Sequence, residues 1–193
     1  SCGGGETDPV NPIDPVIPTQ YSGEIIQDVT WTKDNIYILD GRVVVTDGVT
    51  LTIEAGTVIK AQGGQDADAS CLLIARGGKL MANGTATMPI IFTSIADNIS
   101  NTHANYPGLA NLNATQKGLW GGVIVLGNAP ISASTSEVQI EGIPASDPNG
   151  LYGGSDAAES YTDFAVAVSP EGVEGLTLGA AMSNNLSLIH ISE

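Results

Sequence analysis

Residues 41–62 read GRVVVTDGVTLTIEAGTVIKAQ and residues 71–94 read CLLIARGGKLMANGTATMPIIFTS, with a polar break, GGQDADAS, between them. Each half holds three short apolar runs divided by Gly, Asn or Asp turns. In the first half they are Val43–Val45, Leu51–Ile53 and Val58–Lys60; in the second, Leu72–Ala75, Lys79–Ala82 and Ile90–Thr93. Corresponding runs start 29, 28 and 32 residues apart. Short runs rich in Val, Ile and Thr, bounded by turn residues, have strand chemistry. Three strands recurring at a period of about 30 residues predict the coils of a parallel β-helix, a single-stranded solenoid with three strands per coil.

Composition agrees with an all-β fold. The chain has 193 residues, 42% hydrophobic, with 24 glycines and only 6 Lys and Arg. No long stretch carries the 3.6-residue periodicity of an amphipathic helix, and no apolar run is long enough for a transmembrane helix. The net charge of −15 excludes a nucleic-acid partner, because phosphate binding needs a basic patch. An acidic surface is the plain reading. Asp66 and Asp68 in the polar break alternate as calcium-loop acids do, so a weak Ca²⁺ site is the sharper alternative to a polar turn. No other cofactor is expected.

Outward from the repeats, residues 21–40 are expected as an N-terminal cap with strands at Glu24–Val29 and Ile36–Leu39, because an uncovered solenoid end would template aggregation. Trp31 is expected to pack flat over that end of the core. A third coil is expected from Trp120, with runs at Val123–Leu126, Pro130–Ser132 and Val138–Glu141, and a fourth from Phe164–Val168 and Val173–Leu178; the coil region is thus 41–185. Leu72 to Val123 spans 51 residues rather than about 30. The excess is an Asn-rich insert over 95–119, and a second polar insert covers 143–162. Long loops inside a compact domain are where function is expected.

Residues 1–20, SCGGGETDPVNPIDPVIPTQ, have the composition of a flexible to extended tether. Their start resembles the mature end of a bacterial lipoprotein. The resemblance implies that Cys2 is the acylated cysteine, that the chain is held by lipid at an outer membrane or cell surface, and that Glu6 and Asp8 belong to a surface-exposed Bacteroidetes-type tether. Cys71, by contrast, opens an apolar strand and reads as a small buried hydrophobe.

TLTIEAGTVIKA, LLIARGGKLMANGTATMPIIFTS, LWGGVIVLGNAPI, IEGIP and LYGG resemble an uncharacterised family of secreted bacterial β-helix lipoproteins. That resemblance implies a pectin-lyase-like right-handed parallel β-helix. It carries no established activity onto any residue. Leu186–Glu193, LSLIHISE, resembles the in-frame translation of a sequencing adapter. This implies a gene fragment whose coils are truncated, a non-native tail over 186–193, and no functional role for His190. The competing reading is a genuine apolar strand.

Catalytic constellations are sparse. His103 and His190 are the only histidines, which leaves nucleophile–base catalysis and His/Cys metal sites without partners. Arg42, Arg76, Lys60 and Lys79 fall at strand ends beside turns, where solvated positions are expected rather than a lyase base. Asp147, Asp156 and Glu159 are read as solvated loop acids. The Gly pairs Gly77–Gly78, Gly121–Gly122 and Gly153–Gly154 precede no helix and fit tight corners between coils rather than phosphate loops. Tyr106, Trp120, Tyr152 and Tyr161 lie on or beside the inserts and are the candidate sugar-stacking residues, set against the alternative that they anchor their own loops. The expectation is therefore a non-enzymatic scaffold that binds glycan or another surface partner. A polysaccharide-active enzyme and a structural or adhesive protein stand as the alternatives, and oligomeric state is left open.

Overall fold

The computed structural model describes residues 18–85, 87–101, 111–112, 115–155 and the backbone of 188–190. Seven parallel strand pairs and their corners account for most of it. The strands are β1 (Thr19–Ile25), β2 (Val29–Trp31), β3 (Ile36–Val45), β4 (Thr50–Ile53), β5 (Val58–Ala61), β6 (Cys71–Ile74), β7 (Lys79–Ala82), β8 (Ile91–Ser94) and β9 (Val123–Leu126). No α-helix occurs among the described residues.

The pairings form three stacks. In the first, Tyr21 pairs with Leu39, Leu39 with Ala61, and Ala61 with Ser94. In the second, Gly23 pairs with Val43, Val43 with Leu72, and Leu72 with Val123. In the third, Val29 pairs with Leu51 and Leu51 with Leu80. β1 and β3 each serve two stacks, so the sheet curls at Gly23 and Gly41. Both glycines sit at positive φ, 71° and 70°, a backbone turn that L side chains resist.

The expected strand triplets are therefore present, with small shifts. Val43 to Leu72 has the expected spacing of 29, but Leu51 pairs with Leu80 and Val58 with Ile91, one residue later than the starts of the predicted runs imply. Residues 21–40, expected as a cap, are themselves paired into all three stacks. The spacing from Val29 to Leu51 is 22 residues, shorter than the later turns of the ladder.

Alternation along the second stack divides its side chains between two faces. Val43, Val45, Leu72, Ile74, Val123 and Val125 point into the main core, with Leu39, Ile53, Leu51 and Trp31. Val44, Leu73 and Ile124 point the other way into a second apolar cluster, joined by Cys71, Leu126 and Ile140. Strands buried on both faces are apolar throughout, which is why CLLI and VIVL lack polar alternation.

The cover on that outer face is the main departure from expectation. Val138–Glu141 was expected as a rung of a third coil and Pro130–Ser132 as another. Pro130–Ser132 forms no strand. Val138–Gln139 is β10, and it pairs antiparallel with β11 (Leu151–Tyr152) rather than with any coil strand. Ile140, Ile143 and Tyr152 from this hairpin close the second cluster. The physical reason is the apolar outer face of Val44, Leu73 and Ile124, which stays wet unless something lies over it.

Trp31 is fully buried at the first rung, as its packing role requires. It stacks on Tyr37 with centroids 4.9 Å apart and planes 15° apart, and Tyr21 tilts against it at 5.0 Å. The backbone of Leu188–His190, β12, runs antiparallel beside β9. The fourth coil expected from Phe164 onward lies outside the described residues.

Leu72 is fully buried between Val43 and Val123. Leu72→Ala is expected to cost about 3 kcal/mol in urea unfolding. Ile26→Ala, at a side chain 68% exposed, should stay within about 0.5 kcal/mol of the parent.

Candidate functional site

The hairpin is held against the second stack at both ends by arginine. Arg42, which precedes the buried run of β3, donates from Nη2 to Asp147 Oδ2 at 2.8 Å. Asp147 Oδ1 in turn accepts the Asn149 N–H at 2.9 Å, capping a 3-10 turn over Pro148–Gly150. Arg76, at the corner after β6, donates from Nη1 to Glu137 Oε1 at 2.7 Å and to the Gly153 carbonyl at 2.6 Å. Inside the hairpin, Gln139 Nε2 donates to the carbonyls of Pro144 and Asp147. Asn149 Nδ2 reaches back to Glu24 Oε1 at 2.8 Å, tying the hairpin to the first rung.

The expectation that Arg42, Arg76 and Lys60 are solvated strand-end cations is thus corrected. Lys60 donates from Nζ to the Asp97 carbonyl at 2.7 Å. Burial lowers its pKa, and the nearby Asp97 charge opposes that shift. Asp97 is itself buried and accepts from the Thr93 hydroxyl at 2.7 Å and the Ile99 N–H at 3.1 Å. The root of the Asn-rich insert is pinned in this way. Asn111 fastens its two limbs, accepting from the Asn98 N–H and donating to the Ala96 carbonyl. Lys79 alone of the four is exposed.

The hairpin leaves an open hollow at each end. The larger, of about 390 Å³, is lined by Asp47, Arg76, Gly77, Asn128, Ser136, Glu137, Gly154 and Ser155. It lies where the corner turns after β3, β6 and β9 meet the two limbs of the hairpin. The smaller, of about 180 Å³, has Cys71, Ile124 and Ile143 among its apolar lining and Arg42, Asp66 and Glu141 among its polar residues. Burial pushes the Cys71 thiol up to about 11, against the pull of the Arg42 charge, so this thiol is a poor nucleophile near neutral pH.

Two of the four aromatic candidates, Trp120 and Tyr152, lie among the described residues and pack against different clusters. Trp120 is half-buried and packs against the main core, and Tyr152 is half-buried in β11 against the second cluster. Neither lines either hollow. Tyr106, Tyr161, Cys2, His103, Asp156 and Glu159 lie outside the described residues. Asp66 and Asp68 are exposed on a 3-10 turn, with Asp66 at φ 51°. Among the described residues, no three His, Cys, Asp or Glu side chains gather as a metal site.

Residues 23–162 match a family described as the pectate-lyase like beta helix domain. The chain belongs to that family. The match begins within β1 and covers β2 to β11, both arginine clamps and the hairpin of this β-helix domain. No curated protein and no solved structure matches the chain.

Sequence reasoning missed Asp47, Asn128, Ser136 and Glu137. Asp47 sits in a TDG turn and Glu137 in a serine-rich link, and both read as ordinary corner residues. The available signal was the glycine pairs, since a Cβ on Gly77 would fall on Asp47 Oδ1 and one on Gly154 on Asn128 Oδ1.

Arg42→Ala should loosen the hairpin without opening the coils. The ion pair is partly shielded, with side chains 26% and 20% exposed, and its loss is expected to cost about 1 kcal/mol. Hydrogen exchange should quicken at Val138–Ile140 and Leu151–Tyr152 while protection at Leu51–Ile53 is retained.

Proposed function

We propose that this β-helix domain is a surface scaffold that binds glycan, without catalysis, through inserts fixed on its corners. The observation that carries the reading is the larger hollow. It is an open, polar concavity built where an insert is clamped by Arg76 to rigid rungs, and its lining offers carboxylate, amide, hydroxyl and guanidinium groups. Hydroxyl-rich ligands need such mixed donors and acceptors, held in place before binding.

The coils are read as a right-handed, three-stranded solenoid, in keeping with the near-universal hand of parallel strand connections. The segment before β1 acts as a tether, shorter than the 1–20 expected because Thr19 and Gln20 pair with Tyr37 and Ile38 in the sheet, and acyl chains on Cys2 hold the domain at an outer membrane or cell surface. Tyr106 and Tyr161, in the sequence of the two inserts, are proposed as further glycan contacts.

An enzymatic reading has one observation in its favour: Asp47 and Glu137 are two carboxylates lining one hollow. Glycoside hydrolysis by a carboxylate pair also calls for an apolar enclosure around the acid. Asp47 is exposed and Glu137 is ion-paired, so binding is the better fit.

A glycan array probed with the intact chain tests the proposal. At least one glycan class should be retained above background; no retention across host and plant glycans overturns it. Reducing ends released from a bound glycan, and lost in Asp47→Ala, would instead establish the enzyme. The anchor has its own check in cells expressing the precursor. Radiolabelled palmitate should enter the parent protein and not Cys2→Ala, and equal labelling of both would remove the anchor.

A further inference from the structure

We infer that the larger hollow takes a neutral mono- or disaccharide, gripped edge-on through adjacent hydroxyls, and rejects acidic sugars. The inference rests on the glycan-binding reading above and names the class of glycan and the residues that select it.

The hollow brings complementary groups to one wall. Arg76 spends Nη1 on Glu137 and the Gly153 carbonyl, which fixes the plane of the guanidinium. Its remaining N–H groups make no hydrogen bond among the described residues, and the same lining includes three side chains with acceptor oxygens, Asp47, Asn128 and Glu137. Asp47 forms no ion pair or side-chain hydrogen bond with any described residue. Ser136 and Ser155 add hydroxyls that both donate and accept. A pair of neighbouring sugar hydroxyls needs this combination, because each must give a proton and receive one.

Two of the acceptors lie close over glycine backbone. The carboxylate of Asp47 lies down on the backbone of Gly77, and the amide oxygen of Asn128 lies on that of Gly154. In both places a Cβ would occupy the space the oxygen fills. Gly77 also has φ 83°, so the corner shape itself requires glycine. Two glycines thus leave the room that two acceptors of one concavity occupy.

Charge decides the class of sugar. Two carboxylates face one guanidinium already paired to Glu137, and the chain as a whole carries −15. A uronate would bring another negative charge beside Asp47, a like-charge contact that disfavours binding. Among the described residues no aromatic ring lines the hollow, so the selectivity they supply falls on the hydroxyl edge. The volume of about 390 Å³ lies at the small end of ordinary ligand sites.

Titration calorimetry on the full chain supplies the test, with cellobiose, maltose, mannobiose and xylobiose as neutral probes and digalacturonate as the acidic one. At least one neutral disaccharide should bind, with a Kd at least about tenfold lower than that of digalacturonate. Asp47→Ala, and Asp47→Asn, which keeps the side-chain shape, should each weaken that binding about tenfold while the unfolding temperature stays near the parent's. The inference is overturned if no neutral disaccharide binds, if digalacturonate binds as tightly, or if both Asp47 variants bind within twofold of the parent. Array retention that survives both Asp47 substitutions would sink this site alone and leave the broader glycan-binding reading standing.

Discussion

The structure depends on a sheet that is apolar on both sides. Val43, Leu72 and Val123 face the interior of the coils, while Val44, Leu73 and Ile124 face outward. The inward set closes on itself, because the other two stacks supply Leu39, Ile59, Leu51 and Ile53. The outward set has no such partner within the coils. At roughly 25 cal/mol per Å² of apolar surface, leaving three large side chains wet would cost several kcal/mol. The β10–β11 hairpin removes that cost, and its placement creates a hollow at each of its ends.

Charge in the chain is used sparingly and locally. Six basic residues stand against twenty-one acidic ones. Both arginines and Lys60 are engaged at the roots of inserts. Arg42 and Arg76 flank the second stack, each in the corner next to its apolar run, so each reaches the hairpin from the edge of the surface it covers. Lys60 projects from β5 onto the turn that opens the Asn-rich insert. These three cations thus hold loops to coils.

How much could be read from the sequence follows from which forces have a period. Strand runs separated by turn residues repeat, so Val43–Val45 and Leu72–Ala75 could be aligned by eye, and their true register agrees. Where a run begins with a residue the ladder does not pair in step, the alignment slips. Leu51 was set against Lys79 and Val58 against Ile90, whereas the chain pairs them with Leu80 and Ile91. The hairpin escaped notice because Val138–Glu141 has the same short apolar pattern as a rung; only the need to cover Ile124 and Leu73 tells the two apart, and that need is a property of the assembled sheet. The hollow was hidden for a related reason. Asp47, Asn128 and Glu137 are brought together across ninety positions of chain, and corner residues of this kind carry no local mark of joint use. The aromatic residues did carry such a mark, yet Trp120 and Tyr152 are spent on packing.

One property of the ladder reaches further. Successive rungs of the third stack are 22 and then 29 residues apart, and in the second stack the step from Leu72 to Val123 is 51 with the pairing intact. Loop closure grows only logarithmically with length, at about 0.6 kcal/mol for each doubling. A corner can therefore gain or lose twenty residues for less than the worth of a single buried leucine. Such a scaffold separates two kinds of heredity: rung residues are bound to one another by register, while corner segments are free to lengthen, shorten or be exchanged. Variation in what the surface recognises can accumulate in the corners without passing through unfolded intermediates in sequence space.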